Sequence, residues 1–191
     1  MKKKEKEIFF RARDLESTGL TRGKLQGLIR RGEAKHVARG IYRWADAEPG
    51  EHYTLAAAIK AIPNGVVCLL SALRLHEIGT QEPHQVWIAI DRKSRLPKAS
   101  GLPIRVVRFS KKCMTYGIET MEVEGSPMKI TGPARTVVDC FRYRNKIGMD
   151  IALEALKGSL QQKKSSRDEI LRTAEACRVI SIIKPYIQAI S

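Results

Sequence analysis

Arg22, Lys24, Gln26, Arg30, Arg31, Arg39 and Arg43 stand within one short stretch, with Gly23 and Gly27 among them. Guanidinium and ammonium groups grip phosphate oxygens, and Arg and Gln also pair in bidentate fashion with base edges. The chemistry these types offer is recognition of a polyanion, with no bond made or broken. A second basic group follows later. Residues 92–112 hold eight basic residues and no acidic one, and Arg92, Lys93, Arg95, Lys98, Lys111 and Lys112 are expected to form a surface that meets DNA or another anion.

The whole chain agrees with that bias. A formal charge of +15 over 191 residues favours anionic partners, with nucleic acid first and an acidic protein or membrane surface behind. Residues 1–50 carry 13 Lys/Arg against 7 Asp/Glu, or +6, and the remainder 22 against 13, or +9, which excludes a basic tail on a neutral body. Apolar residues at 43% and charged residues at 29% suit an ordinary globular protein.

Other chemistries find less support. Cys68, Cys113, Cys140 and Cys177 stand singly, as buried thiols of a reducing cytosol would. The four histidines lack metal-ligand spacing, and His76 reads as a core-edge residue. A metal nuclease needs clustered carboxylates with a Lys, whereas Asp91 and Glu119 are strand-edge acids separated by the basic tract. Arg135 and Asp139, four apart, suit an ion pair on one helix. The expectation is therefore a protein that is not an enzyme and uses no metal or cofactor. MKKKEKEIFF is too poor in apolar residues for a signal peptide, and no apolar run nears the ~20 residues of a membrane helix, so a cytoplasmic protein is expected.

The elements that would position the first basic group follow from pattern. FFRARDLESTGL predicts a short helix from about Ala12 to Ser17, stopped at Gly19. Thr21 is a good N-cap residue for TRGKLQGLIRRG, with Leu25, Leu28 and Ile29 on the inward face and Gly32 ending it. Gly23 and Gly27 on the outer face each cost about 1 kcal/mol relative to Ala, and they allow the backbone to approach a groove closely. Lys35–Ala38 and Ile41–Trp44 predict two strands joined at Arg39-Gly40, with Tyr42 and Trp44 as apolar anchors. Two helices and a hairpin in this order predict a winged helix-turn-helix with Arg39 at the wing tip.

Residues 45–51 are turn-prone and predict a domain junction, dividing 1–48 from 49–191. HYTLAAAIKAI reads as a helix ended by Pro63, VVCLL as a buried strand or helix entry, and SALRLHEIG as helical. HQVWIAID, LPIRVVRFS and YGIETMEVEGSPMKIT give four strands, the last two across a Gly125-Ser126 turn. GPARTVVDCFRYR starts a helix at Pro133 with Val137, Val138 and Phe141 inward. DIALEALKGSL stacks Ala152, Leu153, Leu156 and Leu160, Ser166 and Glu169 form a capping box, and IIKPYIQAI is a short helix with Pro185 near its start. The fold class is α/β of the α+β kind: an N-terminal winged helix-turn-helix and a C-terminal mixed α/β domain ending in helices.

Particular residues carry a resemblance. Leu15, Gly19, Leu25, Leu28, Gly32 and the run Arg39-Gly40-Ile41-Tyr42 are similar to the winged helix-turn-helix of AbiEi-type antitoxins of type IV toxin-antitoxin systems. Gly65-Val66-Val67, then Ser71-Ala72-Leu73-Arg74-Leu75-His76 with Pro83, and Thr131 to Asp139 resemble that family's C-terminal domain. The family domain usually has a full helix ahead of the pair, for which MKKKEKE offers at most a turn or two. Gly132 and Ala134 stand where polar or acidic residues are common. The resemblance implies an antitoxin that binds double-stranded DNA at the operator of its own operon and represses it. It also implies a nucleotidyltransferase-like toxin, countered without a stable complex. The alternative is a winged-helix transcriptional regulator whose second domain binds a ligand or a protein, with no toxin.

Overall fold

In the computed structural model the described residues are 7–14, 22–48, 50–96 and 101–190. Two compact units form: Met1–Gly65 with Ser94–Ile104 and Thr120–Met128, and Val66–Lys93 with Arg105–Glu119 and Lys129–Ser191. The first unit thus runs past the junction expected after residue 48 and takes in two later segments. The architecture is mixed α/β, with a strand-and-helix region first and a helix-rich mixed sheet after it.

The first unit opens with β1 (Phe9–Arg11) and a 3-10 turn (Ala12–Asp14), followed by α1 (Arg22–Arg30), β2 (Ala34–Ala38), β3 (Ile41–Trp44) and α2 (Tyr53–Ala61). β3 is central in a three-stranded antiparallel sheet, with Phe10 and His36 both opposite Tyr42. Successive strand residues face opposite sides, and β1 uses this to serve two helices. Phe10 packs with Leu25 of α1, Ala34, Tyr42 and Trp44, its ring 4.5 Å from that of Trp44. Phe9 is fully buried on the other side, 4.9 Å from the ring of Tyr53 on α2.

Over its described part the helix expected from about Ala12 to Ser17 is a 3-10 turn, Ala12–Asp14. Phe9-Phe10-Arg11 pairs with β3 as a strand, because two consecutive aromatics can bury on opposite sheet faces but not on one helix stripe. The Arg11 guanidinium then folds back onto Asp14 at 2.8 Å and closes the 3-10 turn. Leu15, Gly19 and Thr21, with the expected helix stop and N-cap, lie outside the described residues.

The second unit is organised around α4 (Pro133–Arg142). A five-stranded sheet runs in the order β6 (Ile104–Phe109), β5 (Val86–Asp91), β4 (Val66–Val67), β8 (Ser126–Thr131), β7 (Ile118–Val123); of its last two strands only residues 129–131 of β8 and 118–119 of β7 belong to this unit. β4 is antiparallel to β5 and parallel to β8, so VVCLL supplies both a strand and the entry to α3 (Leu69–Leu75). After α4 come α5 (Arg144–Ile147), α6 (Met149–Gln161), α7 (Arg167–Ala176) and α8 (Ile180–Ala189). α4 packs against α3, α6, α7 and α8, and Arg135 through Phe141 are all buried. The Ser166–Glu169 capping box forms as expected. Pro185 is corrected from the start of the last helix to its interior, where it removes a backbone donor.

Within α4, Arg135 Nε donates to Asp139 Oδ2 at 2.9 Å, with both side chains almost wholly out of solvent. Arg135 Nη1 donates to the Tyr116 carbonyl at 2.5 Å, while Arg135 Nη2 and Asp139 Oδ1 have no partner. Burial raises the Asp139 carboxyl to about 6, against the pull of Arg135 and Arg142. A carboxyl raised in this way binds more protons folded than unfolded, so the stability it contributes is present at low pH and lost as pH climbs from its ordinary value of 3.8 to about 6. Asp139→Asn should abolish that slope in urea titrations. In the same titrations Arg135→Met alone should cost about 3–5 kcal/mol, whereas Arg135→Met with Asp139→Leu should recover most of the loss, since the penalty lies in a stranded charge. A double variant as unstable as the single one would show that the pair itself holds the fold.

Candidate nucleic-acid interface

α1 owes its orientation to Leu25, which is buried, and to Leu28 and Ile29, which pack partly against the same core. Opposite them Gly23, Gln26, Gly27 and Arg30 follow one another at helical spacing, forming one stripe. Gly23, Lys24, Gln26, Arg30 and Arg31 are exposed, and Gly27 is half-buried. A Cβ at Gly27 would lie 3.2 Å from Arg31 Nη1, so the missing side chain also leaves room for that guanidinium. Arg22 begins α1, and its side chain lies outside what is described.

The basic residues divide by what already holds them. Arg31 Nε donates to Glu33 at 2.6 Å and Nη2 at 3.2 Å; these hydrogen bonds hold the Glu33 carboxyl below its ordinary value. Arg43 is half-buried and donates through Nη1 to the carbonyls of Trp44 at 3.3 Å and Ala47 at 2.9 Å. It serves the turn after β3, a use that counting basic residues could not reveal. Arg39 and Gly40 make the exposed turn between β2 and β3, and Gly40 takes φ +75, which an L side chain rarely adopts.

The sequence reading missed Lys35 and His36, both exposed on β2. Period-two alternation in AKHVARG could have found Lys35. His36 stands edge-on to Tyr42, ring centroids 5.3 Å apart, a contact that depends on the cross-strand register. Near this position the register shifts between His36 and Ala38, which adds local twist just before the turn.

In the second basic group Arg92, Lys93, Lys111 and Lys112 are exposed and belong to the second unit. Arg92 N–H donates to the Phe109 carbonyl at 2.9 Å, which brings it next to the 3-10 turn Lys111–Met114. Arg108 joins them, donating to the Arg92 carbonyl at 2.8 Å. Tyr143 donates to the Arg108 carbonyl at 2.9 Å, and Lys146 Nζ lies 5.7 Å from the Tyr143 ring. No motif or spacing links residues 143–146 to this tract. Arg105 turns aside and stacks over Trp87 at 4.5 Å. Arg95 is exposed but belongs to the first unit, and Lys98 lies outside the described residues.

The second unit also holds a cavity of about 370 Å³ at the start of α4, lined in part by Tyr116, Glu119, Arg135, Lys164 and Arg172. All four cysteines are free and buried. Among the described residues, no group of three His, Cys, Asp or Glu residues could hold a metal ion, and no helix is long and apolar enough to cross a membrane.

No family model and no curated protein matches the chain. Among solved structures it is similar to the RV2827C protein from Mycobacterium tuberculosis, at 13% identity and a TM-score of 0.59, over 95% of this chain and 75% of that one. At that identity the likeness is one of fold.

Phe10 is the residue on which the α1 and hairpin surfaces both lean. Phe10→Ala should cost about 3–5 kcal/mol. Hydrogen exchange should then speed up at the β2–β3 amides and leave α4 and α6 protected. Equal loss of protection in α4 would mean that the two units do not unfold separately.

Proposed function

We propose that the chain is a DNA-binding antitoxin that represses its own operon and counters a nucleotidyltransferase-like toxin. The observation that carries the DNA-binding part is the stripe of Gly23, Gln26, Gly27 and Arg30, set directly before a hairpin with Arg39 at its turn. As a winged helix-turn-helix, α1 lies in the major groove, where Gln26 and Arg30 reach base edges. Lys24 and Arg39 meet phosphates, or Arg39 enters a narrow minor groove. Arg31 and Arg43 contribute less, since a carboxylate and two carbonyls already engage them. The basic surface of Arg92, Lys93, Lys111 and Lys112 adds sequence-independent attraction.

Support for the antitoxin part is the similarity of Arg39-Gly40-Ile41-Tyr42 and Thr131 to Asp139 to that family. A second reading, a winged-helix regulator whose second unit takes a ligand, is favoured by the cavity at the start of α4.

Two measurements test the proposal. On a duplex bearing the upstream operator, Gln26→Ala and Arg30→Ala should each lose about 1–3 kcal/mol, mainly on the cognate sequence. Arg39→Ala should weaken cognate and unrelated duplexes alike and lower the salt slope by about 1. Unchanged affinity in both α1 variants, with the fold intact, removes α1 as the reader. Separately, co-expression of the full chain with the neighbouring gene product should relieve growth arrest. A neighbour that arrests nothing would give first place to the regulator.

A further inference from the structure

α1 covers only part of the sheet on which it packs. β2 pairs with β3 so that Ala34 stands opposite Trp44 and His36 opposite Tyr42. Ala34, Tyr42 and Trp44 pack with Phe10 in the core that carries α1, so strand alternation puts His36 on the same side of the sheet as α1. Ala34 is buried there, whereas His36, two residues nearer the turn, is exposed. Lys35 lies opposite Arg43 on the other side. An uncovered strip of sheet therefore runs on toward the turn at Arg39, and His36 stands on it, between Arg30 and Arg39 in the chain.

The imidazole is held in place by its neighbours. It stands edge-on to Tyr42, ring centroids 5.3 Å apart, and Tyr42 is itself stacked on Phe10 at 5.8 Å. The shift of register between His36 and Ala38 bends β2 just past the ring. No hydrogen bond among the described residues uses either ring nitrogen, so both are open to a partner.

The charges around it are mostly of one sign. α1 contributes Lys24 and Arg30, and Arg31 follows directly. β3 contributes the Tyr42 phenol on the same side and Arg43 on the other, the latter engaged by the Trp44 and Ala47 carbonyls. β1 contributes Arg11, paired with Asp14. Glu33, ahead of β2, is held by Arg31 at 2.6 Å. Among the described residues, these elements leave no uncommitted carboxylate to meet a positive imidazole. A phosphate brought to the surface would meet it through a charge-assisted hydrogen bond.

We propose that His36 is a phosphate contact of the DNA-binding surface and that its imidazole takes up a proton on binding, so that the duplex is held more tightly as pH falls. The inference rests on the reading of α1 and the hairpin as the DNA-binding element. Histidine is the side chain that ordinarily changes charge between about pH 5 and 8. A phosphate beside it favours the charged form, and by reciprocity a proton on the ring favours the complex. Affinity therefore falls as pH rises through the titration of the bound ring. Arg30 and Arg39 carry their charge throughout this range and give no such slope.

The test measures affinity of the full chain by fluorescence anisotropy at about pH 6 and about pH 8, on a duplex carrying the upstream sequence and on an unrelated duplex. Both should bind about fivefold or more tightly at the lower pH, with a salt slope larger by up to about 1. His36→Gln should match the wild type at the higher pH and lose the gain at the lower one, with an unchanged circular dichroism spectrum. His36→Arg should bind tightly at both. His84→Gln, at an exposed position of the second unit, should keep the wild-type dependence. Equal wild-type affinity at the two pH values overturns the proposal, and so does a pH dependence that survives His36→Gln. Either result leaves α1 and the hairpin as the DNA-binding element. Failure of both duplexes to bind at either pH removes that reading and the proposal together.

Discussion

The buried ion pair of Arg135 and Asp139 is the constraint around which the second unit is arranged. A guanidinium and a carboxylate four residues apart on one helix would be worth little in water. Here they lie among Phe109, Val137, Val138 and Phe141, with Arg135 Cζ 5.0 Å from the Phe109 ring. Once the pair is dehydrated, its geometry has to be kept, because separating it would leave an uncompensated charge in an apolar interior. Gly117 answers to this need: a Cβ there would fall 3.0 Å from Arg135 Cβ. The Tyr116 carbonyl does too, by accepting Arg135 Nη1. The turn ahead of β7 and the start of α4 are thereby fixed to each other, and the cavity lies where they meet.

Much of the framework was legible in the sequence, because it depends on local periodicity. Leu25, Leu28 and Ile29 set the inward face of α1, and Gly40 marked the hairpin turn. Ser166 with Glu169 announced α7, and Val137, Val138 and Phe141 oriented α4. Each of these signals lies within one turn or one strand pair. What escaped depends on partners distant in the chain. Phe9 and Phe10 read as the lead-in to a helix, since their strand partner β3 lies some thirty residues on. Pro185 suggested a helix start, yet tertiary packing holds Ile183 and Ile187 buried on either side of it. Propensity was overruled by burial there.

The candidate surfaces were legible in type and less so in detail. Charge counting found Arg30 and Arg39, which are exposed. It could not distinguish them from Arg43, whose guanidinium caps a turn, or from Arg31, which is paired with Glu33. The distinction comes from hydrogen-bond bookkeeping across three dimensions. The cavity was invisible for a similar reason. Tyr116, Arg135 and Lys164 carry no shared motif, and only the junction of turn and helix makes them neighbours.

The order β1-β3-β2 has a consequence for the hairpin. β3 is satisfied on both sides only because three residues ahead of α1 lie against it. Without β1, β3 would present a row of bare N–H and C=O groups flanked by the aromatic rings of Tyr42 and Trp44, a template for pairing with another chain. A three-residue strand near the amino terminus thus acts as a selvedge. It adds one narrow row of ladder bonds to the sheet, so the edge left open on that side is a three-residue strand and not the full length of β3.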